Sequence, residues 1–299
     1  DLWLAGSASV GGLVTNTAGT SNFRAGSLAG DALIVGSKYN TFIGDSAGKV
    51  VTTGDRSVAV GTNSLAYEIL GGYTVAVGYN ALVSQNTGIA AYNTAIGYVA
   101  GSSVTSGISN TLIGGLAGDA LIDADFNVAI GSNALGADTY GSTSVAMGHS
   151  ALAAQNFTSA TNAHNTAVGH QAGSSISTGT FNTILGSLAG DELTTGISNV
   201  LLGMKSGTYA VNLTTGSSNI LIGAFCDPTA SDTTAAIGLG YNIDAAGGYT
   251  TLGNGASDIR AAHGNVTWST VSDERYKKDI VDSSAGLSFV NALRPRTFK

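Results

Sequence analysis

The chain has 299 residues, of which 43 are glycine and only 10% are charged, and its net charge is −7 at pH 7. This acidic balance, with no basic stripe before the last 30 residues, excludes nucleic acid as a partner, and an apolar fraction of 43% excludes disorder. A single cysteine, Cys226, excludes an intrachain disulfide framework, and no apolar run is long enough for membrane insertion.

Residues 1–32 are less regular than those that follow. They place Trp3 and Phe23 among glycine, serine, threonine and alanine, so we expect irregular N-terminal coils or a junction to an upstream segment. The chain begins at Asp1 rather than at methionine, which indicates a fragment or a processed product.

A short phrase repeats through residues 33–253, and one of its copies is the hexapeptide at residues 92–97. Seven of the twelve steps between the closing glycines are 17 residues, a period typical of proteins whose units bury their apolar faces by stacking on their neighbours. The period predicts an all-β fold, a repetitive β-solenoid. The closing glycines are Gly44, Gly61, Gly78, Gly97, Gly114, Gly131, Gly148, Gly169, Gly186, Gly203, Gly223, Gly238 and Gly253.

Each copy of the phrase predicts a strand. The residue before the glycine is always aliphatic, and a β-branched residue stands two positions earlier in all copies but one, so we expect both on one buried face. The residue between them is apolar in twelve of thirteen copies and is most often alanine, as at Ala95, Ala129 and Ala146. We expect this small-residue face to be covered as well, by the close approach of another chain.

The repeat predicts three further features. Alanine recurs three residues after most of the glycines, where we expect a second short strand, and Cys226 occupies this position in its coil as a small core residue. Asparagine opens eight of the thirteen strands, so stacked asparagines should form a ladder of side-chain hydrogen bonds along one corner.

The 17-residue period lengthens at three places, and the largest insertion is Ala153–His164. Loops on a rigid scaffold commonly carry binding residues, so this loop is a candidate receptor-binding loop; the alternative is a tolerated insertion. Its candidate binding residues are Gln155, Asn156, Phe157 and Asn162.

Other candidate sites within the repeats are weaker. Asp119, Asp123 and Asp125 form a carboxylate cluster of the kind a polysaccharide-cleaving enzyme needs, but their spacing also fits a solvated turn. The four histidines follow no metal-ligand pattern, so we expect no metal and no cofactor.

The repeat ends at residues 254–271, a connector that contains Trp268, and the composition then changes abruptly. Six charged residues crowd into the eight positions from Ser272 to Asp279, where Ser272 is able to cap a helix that begins with Asp273 and Glu274. Residues 284–293 predict a short helix that ends before Pro295.

The repeated phrase, as in Ser144–Leu152, resembles the head repeats of trimeric bacterial surface adhesins, and similar repeats occur in phage tail fibres. The resemblance covers residues 33–253 and implies a left-handed β-roll in a homotrimer. The repeats of those adhesins are usually shorter than 17 residues.

Residues 272–299 resemble the start of the self-cleaving intramolecular chaperone found at the ends of phage tailspikes and tail fibres, including endosialidases. The resemblance rests on Ser272–Lys277, on Lys278–Ile280 and on Ala292–Phe298. It implies that Ser272 is the nucleophile, that Lys277 is its base, and that the chain is cut at a junction formed by Ser272 and Asp273. Attack on the preceding carbonyl and attack by a neighbouring chain's serine both remain open.

These patterns favour the structural, host-surface-binding part of a phage tail fibre or tailspike, located in the virion and trimerised by a chaperone that removes itself. The expected partners are two further copies of the chain, other virion tail proteins and a host receptor, either a polysaccharide or an outer-membrane protein. The alternative is a cellular trimeric surface adhesin or an extracellular filament protein at the cell surface.

Overall fold

The computed structural model describes residues 21–255, 257–265 and 267–270. These residues form short strands joined by turns, without any helix that could cross a membrane. The strands are β1 (Phe23–Ala25), β2 (Thr41–Ile43), β3 (Val58–Val60), β4 (Val75–Val77), β5 (Thr94–Ile96), β6 (Thr111–Ile113), β7 (Val128–Ile130), β8 (Gly141–Ser142), β9 (Val145–Met147), β10 (Thr161–Asn162), β11 (Thr166–Val168), β12 (Thr183–Leu185), β13 (Val200–Leu202), β14 (Ile220–Ile222), β15 (Asp227–Pro228), β16 (Ile237–Tyr241), β17 (Asp244–Ala245), β18 (Tyr249–Asn254), β19 (Ile259–Ala262) and β20 (Ser269–Thr270).

One parallel sheet organises the chain and confirms the predicted β-solenoid. Its strands follow the order β1-β2-β3-β4-β5-β6-β7-β9-β11-β12-β13-β14-β16-β18, and β19 and β20 then extend the sheet as antiparallel strands. Each strand pairs in register with the next coil, so Ala95 of β5 lies beside Leu112 of β6. The stack already includes β1, which lies in the segment that the sequence marks as irregular.

The closing glycine marks a corner where adjacent coils approach closely. At Gly131 the φ angle is +133°, and an added Cβ would lie 2.6 Å from the carbonyl carbon of Gly148 in the next coil. This geometry corrects one assignment: the corner glycine of β16 is Gly240, with φ of +149°, whereas Gly238 lies beside Leu221 inside the coil. Two glycines two residues apart made the sequence pattern ambiguous there.

The two faces of the strands are the reverse of the prediction. The middle residue of each triplet points into its own coil, and Ala95, Ala129 and Ala146 are fully buried. The aliphatic residue before the glycine faces outward, and Ile96 and Met147 are each 39% exposed. The expectation that the alanines contact another chain is therefore wrong, because each already lies inside a closed coil.

The predicted second strand after the glycine forms in two of the described coils, where β15 follows Gly223 and β17 follows Gly240, and the prediction is wrong for the others. In those coils turns follow the glycines, and residues two and four positions beyond them, such as Asn63 and Leu65, have φ angles of 56° and 52°. A positive φ is incompatible with an extended strand. Elsewhere in the returns of the described coils, β8 pairs with β10, and a single parallel bridge joins Gly72 and Ala90.

Two positions inside most coils compensate for each other's volume. In these coils a large middle strand residue is combined with a glycine four positions after the corner glycine, and a middle alanine is combined with a leucine there. The first kind comprises Phe42 with Gly48, Leu112 with Gly118, Ile184 with Gly190, and Leu201 with Gly207; the second comprises Ala59 with Leu65, Ala76 with Leu82, Ala129 with Leu135, and Ala146 with Leu152.

Three coils between β2 and β14 depart from this pairing. Leu221 is combined with Asp227, and the other two coils have small residues at both positions, so that side chains of adjacent coils fill the space. Ala95 is combined with Gly101, and Ala167 with Gly173. An added Cβ at Gly101 would lie 2.6 Å from Leu112 and 2.9 Å from Leu82, which shows that side chains of the two adjacent coils occupy the space. The interior is therefore close-packed along its length as well as within each coil.

The predicted asparagine ladder is confirmed. The Asn110 amide nitrogen donates to the Ala124 carbonyl at 2.7 Å, and its Oδ1 accepts from the Asn127 backbone nitrogen at 2.9 Å. Asn127 repeats the arrangement with Gly141 and Ser144. Each asparagine thus satisfies backbone groups at the corner that the turn leaves without partners.

The volume pairing predicts the outcome of a double-mutant cycle. Ala129→Leu alone should lower the free energy of unfolding by about 1–3 kcal/mol through overpacking, and Leu135→Gly alone by about 3 kcal/mol or more through a cavity. The double variant reproduces the Leu112 and Gly118 pair of the preceding coil, so it should recover at least about 1 kcal/mol of the summed loss. Urea unfolding measures all four proteins, and strictly additive losses would contradict the pairing.

Candidate interaction surface

The outward side chains of the parallel sheet form one continuous surface, which we call the outer face. It consists of the first and third residues of the strands from β2 to β14 that belong to the sheet, all of them threonine, valine, isoleucine, leucine or methionine. Ile43 is 37% exposed and Leu185 is 48% exposed, and no charged residue interrupts the rows. The outer face is therefore an uncharged, largely aliphatic strip.

Stacked aromatic side chains flank the outer face on its upstream edge. The Arg56 guanidinium lies 5.4 Å from the centre of the Tyr39 ring and 5.3 Å from that of Tyr73, and it donates to the Tyr73 hydroxyl at 2.9 Å. The Tyr73 ring in turn lies 5.2 Å from that of Tyr92. Four consecutive coils thus present one column of aromatic and cationic groups.

A second column flanks the downstream edge, just beyond the corner glycines. Tyr79 and Tyr98 stack at 5.6 Å, and His149 and His170 stack at 5.4 Å. These rings are exposed, and each stacked pair joins two adjacent coils. The outer face is thus bordered on both sides by exposed rings, which are enriched in protein interfaces.

The candidate receptor-binding loop divides into buried and exposed residues. Gln155 is fully buried and Phe157 is 7% exposed, whereas Asn156 and Asn162 are open to solvent. The Gln155 amide nitrogen donates to Asp138 Oδ2 at 2.6 Å and to Ser144 Oγ at 3.1 Å. Its Oε1 accepts from Asn165 at 2.8 Å, so Gln155 links three coils from inside.

The same polar arrangement occurs a second time. Gln85 donates to Glu68 and Thr74 and accepts from Asn93, as Gln155 does with Asp138, Ser144 and Asn165. In both places serine or threonine replaces asparagine in the ladder, and a glutamine fills the gap. Burial raises the pKa of Asp138, and the hydrogen bond from Gln155 opposes this rise. The sequence signal for this arrangement is a glutamine seven positions after the corner glycine, with Glu68 or Asp138 at the same position of the preceding coil, where most other coils carry an aliphatic residue.

The other residues that the sequence singles out are held by contacts within the coils. Asp123 accepts from Ser106 Oγ and Asp125 from the Ile108 backbone nitrogen, both at 2.7 Å, so these carboxylates link neighbouring coils. Within the described residues no three histidine, cysteine, aspartate or glutamate side chains are placed to hold a metal ion. Cys226 is buried as predicted, and burial raises the pKa of its thiol to about 12, so the thiol stays neutral at pH 7.

Ser272, Asp273 and Lys277, the predicted cleavage residues, lie outside the described residues, as does the predicted helix at 284–293. Their roles stay predictions. Comparison of the chain with protein-family models, with curated proteins and with solved structures finds no match.

The loop residues predict a contrast between two variants. Gln155→Ala should lower the free energy of unfolding by about 3 kcal/mol, because it removes the buried hydrogen bonds that Gln155 forms with Asp138, Ser144 and Asn165. Asn162→Ala, on the exposed part of the same loop, should change it by less than about 0.5 kcal/mol. Chemical denaturation decides the matter, and equal stability of the two variants would show that the Gln155 contacts contribute nothing.

Proposed function

We propose that this chain is the trimeric, host-surface-binding part of a phage tail fibre or tailspike. The observation that carries the proposal is the outer face, an aliphatic strip that no described part of the chain covers. Its eleven parallel strands, spaced at about 4.8 Å, make the strip about 50 Å long, and two outward side chains with flanking rings make it about 15 Å wide.

A strip of these dimensions offers roughly 750 Å² of surface, which exceeds the largest apolar patch of a typical monomer, about 300–600 Å². It is close to the roughly 800 Å² that each partner contributes to a stable protein interface. Leaving it in water would be costly, since burial of apolar area contributes about 25 cal/mol per Å².

The partner that fits this strip best is another copy of the same chain. The outward rows repeat at the strand spacing over the whole stack, and only a surface with the same spacing keeps its side chains in register along that length. The strip also lacks charged groups, which suits packing against an identical strip because no like charges meet.

The number of copies and the phage setting rest on the resemblances. The adhesin-like repeats imply a threefold arrangement, and the chaperone-like residues 272–299 imply a tail fibre that is aligned and then released by cleavage. A cellular trimeric surface adhesin or extracellular filament protein would use the outer face in the same way. The chaperone-like segment favours the phage protein.

The outer face predicts which substitutions disrupt assembly. Ile96→Lys places a charge in the middle of the strip, once in each copy, and should lower the affinity between chains at least about tenfold. Val35→Lys, at a turn residue that is 84% exposed, should leave assembly unchanged. Sedimentation equilibrium measures the mass of each protein.

Two outcomes of this measurement would contradict the proposed assembly. One is a monodisperse monomer for the unmodified chain. The other is equal assembly of the Ile96→Lys and Val35→Lys variants, because the strip would then make no contact.

Cleavage beside Ser272 is tested on the full-length gene product. We expect the unmodified protein to be cut there, and we expect Ser272→Ala and Lys277→Ala to remain intact, since the first removes the nucleophile and the second its proton acceptor. Intact-mass spectrometry reads the result. An uncut unmodified protein, or efficient cleavage of Ser272→Ala, would leave Ser272 with the role of a helix cap.

A further inference from the structure

A groove crosses three coils on the side of the turns that follow Gly44, Gly61 and Gly78. Its volume is about 330 Å³, and its lining includes Lys49, Val50, Asn63, Ala66, Tyr67 and Asn80. Ligand pockets typically hold about 300–1,000 Å³. The groove is formed by turn residues, whereas the outer face is formed by strand residues, so the two surfaces use different side chains.

Tyr67 supplies an aromatic surface to this groove. Its side chain is 62% exposed, and it stacks on no other ring among the described residues. The exposed rings that border the outer face differ in this respect, since Tyr73 packs on Tyr92 and Tyr79 on Tyr98. A face of the Tyr67 ring therefore remains available to a ligand.

Asn63 and Asn80 supply hydrogen-bonding groups beside that ring. The Asn63 amide nitrogen donates to Asn80 Oδ1 at 3.2 Å, which leaves Asn63 Oδ1 as an acceptor and the Asn80 amide nitrogen as a donor for a ligand. The fold does not need amides here, because Leu116 occupies the same position of another coil with φ of 59°, close to the 55° of Asn80. The two amides thus have a capacity for binding that the coil itself does not use.

Lys49 adds a positive charge to the lining of the groove, and the small side chain of Ala66 leaves room for a ligand. The Lys49 ammonium forms no ion pair with any carboxylate in the described part of the chain. Ala66 is 4% exposed and stands where the preceding coil carries Lys49 and the following coil Val83, five residues after each corner glycine. The small side chain opens the middle of the groove.

We propose that this groove binds a saccharide, with a preference for a sugar that carries a carboxylate. The C–H face of a pyranose ring is apolar and packs on the electron-rich face of an aromatic ring such as Tyr67. Its hydroxyl groups both donate and accept, which matches the paired amides, and Lys49 complements an acidic sugar. The inference rests on the proposed host-surface function and names the class of receptor group, a glycan.

The test uses the 299-residue chain and four probes: the methyl glycosides of glucose, galactose, N-acetylglucosamine and glucuronic acid. Saturation-transfer NMR and calorimetric titration measure binding. We expect at least the glucuronide to bind, with transfer strongest to its ring C–H protons. Tyr67→Ala and Asn80→Leu should each weaken its binding about tenfold.

The chain offers a matched control. Tyr209 stands six residues after its corner glycine, as Tyr67 does, and is 53% exposed, but its ring packs on Phe225 at a distance of 4.4 Å between ring centres. Tyr209→Ala should leave saccharide binding unchanged. Lys49→Ala should weaken the glucuronide about twofold to fivefold and leave any neutral glycoside that binds unaffected.

Binding of none of the four probes would overturn the groove proposal, as would equal loss of binding in the Tyr67→Ala and Tyr209→Ala proteins. Sedimentation of the same samples separates this failure from that of the proposed assembly. A trimer without saccharide binding contradicts the groove alone, whereas a monomer that binds saccharide through Tyr67 contradicts the assembly alone.

Discussion

The close stacking of one coil on the next is the constraint from which the other features follow. At the corner, the Gly131 backbone nitrogen donates to the Ile113 carbonyl at 2.7 Å, and Gly148 repeats this bond to Ile130. A side chain at either glycine would separate the two backbones. Because every coil meets this requirement in the same place, equivalent residues lie in columns along the stack, and each column has to suit its neighbours above and below.

The interior shows how strictly the columns are coupled. In most coils the summed side-chain volume of two interior positions is conserved, and where both residues are small, as at Ala95 and Gly101, side chains of adjacent coils fill the space. Polar groups obey the same rule, because a buried donor or acceptor without a partner costs about 1–3 kcal/mol. The asparagine ladder meets it in most coils, and Gln85 and Gln155 meet it in the two coils where Thr74 and Ser144 replace asparagine.

Stacking also gives the molecule two kinds of surface, the regular outer face and the variable turns. The outer face repeats its chemistry from coil to coil and suits a partner with the same period, which we propose to be the chain itself. The turns on the return side differ from coil to coil in length and side chains, so a local feature such as the groove beside Tyr67 occurs against a regular background. Assembly and ligand binding therefore need not compete for the same residues.

The sequence alone determined the period, most of the corner glycines and the asparagine ladder. Each depends on a local requirement of the backbone that one residue type meets best, so that residue recurs at a regular interval. It could not determine which strand face is inside, since both faces are apolar and a period of two is the same for either. Nor could it separate buried Gln155 from exposed Asn156 beside it, because the partners of Gln155 lie on other coils. Only the closed coil decided these points: its narrow interior accepts one side chain from each strand, and that side chain is most often alanine.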